Sequence, residues 1–209
     1  MTFDKQGVLR NLHLRILEFD VEGDNICNVL NSLISLIRLS EDKCDKATLS
    51  ARPGGAHDDY AEHVYDQEGA NIEELIGAVL LMLQARIRRV KRSSKKAGIK
   101  DDLLLKDSAN KHESHAFSLV EIVWDLANYY KHRDDWNSAV WDDEEKANKF
   151  SVKTRKSVKR VGVVRGGTAN LRTALESLST SDYSQSAQSL NEGIQSWAKR
   201  MLQMANELP

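Results

Sequence analysis

The chain has 209 residues and a formal net charge of -1; it is 41% hydrophobic and 29% charged, which supplies apolar material for a core and charge for water. This balance excludes wholesale disorder and a generally basic nucleic-acid binder, and the most apolar run, Leu75–Leu83, is far shorter than the roughly 20 residues that cross a bilayer. With prolines only at Pro53 and Pro209, long stretches lack the residue that most strongly interrupts helices, so we read an all-α single domain over 1–209, an antiparallel bundle of long helices.

Near the N-terminus Val8, Leu9, Leu12, Ile16 and Phe19 suit a helix, although Leu12, Leu14 and Ile16 also alternate like a strand; helical neighbours favour the helix. In "NICNVLNSLISLIRL" the residues Ile26, Val29, Leu30, Leu33, Ile34 and Ile37 recur at three- and four-residue intervals, as an amphipathic helix requires. Pro53, Gly54 and Gly55 mark a loop near 51–58, after which Ile72, Leu75, Ile76, Val79, Leu80, Leu83, Ile87 and Val90 form the buried stripe of a long helix over 72–90. Its basic tail runs into a polar loop near 93–101 around Gly98. A helix is expected over about 112–132, and a further loop near 162–168 ends in "RGGT", where Thr168 is a plausible N-cap. The last helix, about 184–208, has the stripe Ala187, Leu190, Ile194, Trp197, Met201 and Met204, which reads as core. Cys27 and Cys44, without a signal peptide, read as reduced thiols and point to the cytoplasm.

The segment "VWDLANYYKHRDDWNSAVWDDEE", Val123 to Glu145, crowds aromatics, amides, a histidine and charges together. On a helix Glu121, Asp125, Asn128 and His132 fall at i, i+4, i+7 and i+11, so they share a polar stripe beside the apolar Leu119, Val123, Leu126 and Tyr130. Imidazole moves protons near neutrality, Asn128 one turn earlier can orient the ring or a ligand, and Asp125 and Glu121 are candidates to tune it. In the competing reading Asn128 and His132 satisfy each other or a nearby backbone group, with the carboxylates in water.

"ANYYKH", Ala127 to His132, resembles the R-N-x-x-x-H signature of the HEPN superfamily of helical domains. The resemblance implies a helical bundle that often dimerises across its motif helices, and in many members a metal-independent ribonuclease of toxin or antiviral systems. It assigns His132 to acid–base work on the ribose 2′-hydroxyl and the leaving oxygen, with Asn128 beside it. Ala127 stands where the motif has the arginine that stabilises phosphate charge, and a methyl group supplies neither hydrogen bond nor charge; Lys131 and Arg133 are the candidate replacements.

Two basic zones follow the same logic of phosphate contact. One is the tail of the long helix, Arg86 to Lys96; in the other Lys149, Lys153, Lys156 and Arg160 align on one helical face. Residues 1–70 carry thirteen acids against seven Lys and Arg, so charge pairing within the chain or with another protein competes with RNA for these ridges. Trp136 and Trp141 read as packing among the surrounding acids. His112 and His115 lie three apart with no third ligand fixed beside them, and His57 and His63 lie six apart, so no metal is assigned. No cofactor is assigned either. Three functions compete: a HEPN-like ribonuclease, a non-catalytic RNA-binding relative, and a helical oligomerisation protein.

Overall fold

The computed structural model describes residues 4–17, 25–50, 56–100, 118–136, 141, 149–178 and 183–208. Among them are seven α-helices and no strand: α1 (Lys5–Leu17), α2 (Asn25–Ser50), α3 (Ala56–Lys96), α4 (Leu119–His132), α5 (Lys149–Lys159), α6 (Asn170–Leu178) and α7 (Tyr183–Glu207), with a 3₁₀ turn at Arg133–Asp135. The all-α class read from the sequence holds, and α1 takes the helical alternative. The expected helical residues 112–117, the acids 142–145 and the loop residues 51–55 lie outside the described residues.

One apolar cluster draws on all seven helices, including Leu12, Leu30, Leu83, Leu126, Val158, Leu171 and Trp197. Helix α3 is its spine, about 60 Å long at 1.5 Å per residue, and packs against α1, α2, α4, α6 and α7. It begins sixteen residues before the apolar stripe expected from Ile72. The extension is held by polar burial: Glu68 accepts hydrogen bonds from Ser40 Oγ at 2.7 Å and Lys43 Nζ at 2.6 Å on α2, which hold its carboxyl below the usual range. The helix ends where Gly98 adopts φ 97°, a left-handed turn that a side chain would strain.

Helix α4 begins at Leu119, capped by Ser118, whose hydroxyl accepts from the Glu121 N–H at 3.2 Å. That Ser-x-x-Glu pattern sets the start of α4. Two further helix starts are capped from a distance. Glu41 of α2 accepts the Tyr183 N–H at 2.6 Å, and Glu73 of α3 accepts the Leu171 and Arg172 N–H groups at 2.9 and 2.7 Å. Thr168, expected as the cap of α6, is exposed and lies two residues before the first helical residue, Asn170, one short of the cap position. Asn170 clasps the "GVVRGGT" loop through Val164 and Gly167, so this segment is a helix-start loop, and the first amides of α6 are spent on Glu73.

Candidate functional site

Helix α4 is buried on the side of Val120, Val123, Leu126 and Ala127, and its polar stripe opens onto a groove between α3, α4 and α5. The groove holds about 650 Å³ and is lined by Lys91 of α3, by Trp124, Asp125, Asn128 and His132 of α4, by Asp135 and Trp136, and by Phe150, Lys153 and Thr154 of α5. A volume of this size suits a small ligand or one to two nucleotides. Ser151 completes the lining.

His132 is the last residue of α4, and its side chain is 57% exposed. Its Nδ1 lies 3.4 Å from Asp135 Oδ2, which leaves Nε2 for proton exchange. Asn128 is half-buried, and its Oδ1 accepts a hydrogen bond at 2.8 Å from Nε2 of the buried Gln84. The same Gln84 nitrogen donates to the Trp124 carbonyl at 3.0 Å, and its Oε1 accepts from Lys131 Nζ at 2.9 Å. Gln84 thus fixes the amide of Asn128, whose Nδ2 has no hydrogen-bond acceptor among the described residues, and it holds Lys131 one turn away. Burial and the neighbouring Arg88 charge lower the pKa of Lys131.

The expected tuners of the imidazole serve other partners. Glu121 is ion-paired with Lys153 Nζ at 3.0 Å, and Asp125 accepts from Thr154 Oγ1 at 3.2 Å; both contacts dock α5 on α4. They share the stripe with His132, but the carboxylate that reaches its ring comes from the following turn. Asp125 is 2% exposed, and burial pushes its carboxyl above the usual range against the pull of Ser157 and Lys153. A carboxyl whose folded pKa is raised contributes stability below the usual carboxylate range and loses it as pH rises through the raised value. Asp125→Asn is therefore expected to raise the melting temperature at pH 7, with a gain that shrinks towards pH 4. A lower melting temperature at pH 7 would show instead that Lys153 and Thr154 hold an ionised carboxylate.

Ala127 is fully buried, so the motif's arginine position faces the core. Arg133 is held by Glu74 and stacks over the Tyr130 ring at 4.8 Å, while the Tyr130 hydroxyl donates to Glu74 at 2.6 Å. These contacts lower the Glu74 pKa, and burial together with Glu74 pushes Tyr130 up to about 12. Neither Lys131 nor Arg133 lines the groove. Trp136 and Trp141 are buried and meet Tyr129 edge to face at 5.3 and 6.3 Å, so the aromatic end of the crowded segment is packing.

Lys153 and Lys156 on α5 and Arg160 in the turn just after it are exposed, and Lys153 alone of these lines the groove. The Lys149 side chain, like those of Cys27 and His57 and the residues His112 and His115, lies outside the described ones. Among the described residues no three His, Cys, Asp or Glu side chains form a metal-binding group, and Cys44 is a buried free thiol. The fold and site define an all-α protein with an open groove that joins an amide, an imidazole, lysines and an indole. Comparison with family models, curated proteins and solved structures finds no match for this chain.

Proposed function

We propose that this chain is a HEPN-like protein of RNA biology or cellular defence, cytoplasmic and homodimeric, that binds RNA in the α4 groove and uses His132 as the acid–base group of a metal-independent ribonuclease. One observation carries the reading: Asn128 and His132 open onto the same groove as Lys91, Lys153 and the Trp124 indole. A single-stranded nucleic acid needs a cation for its phosphates and a flat apolar surface for a base, and the groove offers both. In this reading His132 Nε2 accepts the ribose 2′-hydroxyl proton as the oxygen attacks the adjacent phosphorus; the P–O5′ bond breaks and the leaving oxygen takes a proton from water, giving a 2′,3′-cyclic phosphate and a 5′-hydroxyl.

The test is cleavage of RNA by purified protein in a chelator. His132→Ala is expected to lower the cleavage rate by about 10²- to 10⁴-fold and to leave the melting temperature unchanged, because the side chain is exposed. Salt-dependent binding without cleavage would select the non-catalytic RNA-binding reading. A purely interacting protein, the second reading, is favoured by Leu36 and Leu39, which are 46% and 56% exposed beside Leu75 in a smaller groove between α2 and α3. Absence of any binding to RNA at low salt would select it.

A further inference from the structure

We propose that Lys91 of α3 is the cation that meets a phosphate group in the α4 groove, in place of the arginine that Ala127 replaces. This assignment rests on the RNA reading and names the phosphate contact within it. The two residues nearest in sequence are already committed: Lys131 donates to Gln84, and Arg133 is clamped between Glu74 and the Tyr130 ring. Lys153 reaches the groove but is ion-paired with Glu121 at 3.0 Å, and a phosphate would compete with that carboxylate for it.

Lys91 has neither restriction. It lines the groove, and its ammonium lies 5.4 Å from the centre of the Trp124 ring, with no carboxylate partner among the described residues. Arg88, one turn earlier on α3, approaches the same indole at 5.8 Å and adds positive field at the rim. The two groove acids are arranged so as to repel an anion weakly: Asp135 faces the His132 ring, and burial favours the neutral form of Asp125. The Nδ2 donors of Asn128, without an acceptor among the described residues, complete the set, because an ammonium with a fixed amide satisfies phosphate oxygens from two directions. An indole already covered by a cation also gives a readout. An anion that draws Lys91 away from Trp124 changes the local field at the ring.

The experiment titrates the 209-residue chain with a single-stranded RNA oligonucleotide and, separately, with inorganic pyrophosphate, following tryptophan fluorescence at several salt concentrations. Lys91→Ala is expected to weaken RNA binding by about tenfold and to reduce the salt slope by about one, whereas Lys131→Ala and Arg133→Ala stay within about twofold of wild type. Lys91→Arg restores binding if charge is what the site needs, and equal melting temperatures separate this loss from misfolding. Wild-type affinity for RNA in Lys91→Ala, or a larger loss in Lys131→Ala or Arg133→Ala, overturns the assignment and leaves the RNA reading standing. Pyrophosphate binding that depends on Lys91 without RNA binding supports the phosphate site and removes the RNA reading. Binding of neither probe by wild type overturns both.

Discussion

Glu73→Ala is expected to destabilise the protein by about 3–5 kcal/mol, the usual cost of removing one member of a buried charged cluster. Glu73 is 6% exposed on α3, and its two oxygens accept the Leu171 and Arg172 N–H groups at the start of α6. Arg172 Nε lies 3.5 Å from Oε1, an ion pair without the alignment of a hydrogen bond, so the backbone bonds carry more of the attachment. Truncation strands both amides and leaves the Arg172 charge facing a cavity. Glu73→Gln keeps an acceptor oxygen and should cost about 1 kcal/mol. Burial raises the Glu73 carboxyl despite these bonds, with the amides and Arg172 pulling it down. The pH-dependent part of its contribution is therefore greatest at acid pH and falls as pH rises through the raised value, while the bonds to the two amides persist. Urea unfolding at two pH values checks both statements: the gap between wild type and Glu73→Ala should widen on acidification, and a cost under 1 kcal/mol would mean that water replaces the carboxylate.

Apolar periodicity made the helices legible, because Leu80, Leu83, Ile87 and Val90 recur at helical spacing on α3, as Leu190, Ile194 and Trp197 do on α7, and each is buried. It failed where burial is polar. The first sixteen residues of α3 show little apolar stripe, since Glu68 holds that segment to α2 through Ser40 and Lys43. Local sequence points to Thr168 as the cap of α6, whereas the acceptor of its first amides, Glu73, lies 98 residues upstream of Leu171. The site divides in the same way. Spacing alone put Asn128 and His132 on one face, and the groove holds them both. Spacing on α4 could not show that Glu121 and Asp125 are taken up by α5, nor that Gln84, 44 residues before Asn128, orients its amide. The one sequence-level hint of Gln84 is an uncharged polar residue inside the apolar stripe of α3, flanked by Leu83 and Ile87. Lys91 was visible only as one member of a basic run, because the groove that singles it out is made by tertiary contact.

Gly77→Val is expected to destabilise the protein by about 3 kcal/mol and to displace the end of α4 that presents His132. A Cβ on Gly77 would fall inside the van der Waals envelope of the Tyr130 ring, so this glycine is what lets α4 lie against α3 at that level. Tyr130 has little freedom to retreat: its hydroxyl is bonded to Glu74 at 2.6 Å, and the Arg133 guanidinium covers its face. Overpacking must then be relieved by separating the two helices or by expelling the ring, and the latter releases Arg133 and Glu74 together. Both routes move the turn that follows Tyr130, which carries Lys131 and His132. Removing the ring should relieve the clash, so Gly77→Val combined with Tyr130→Ala is expected to cost less than the sum of the two single changes. The cycle is read by urea unfolding, with RNA affinity of each variant measured beside it. Additive costs would show that the α3–α4 contact absorbs a side chain at position 77 without meeting Tyr130, and the positioning of His132 would then depend on the Gln84 bonds to Trp124 and Asn128 alone.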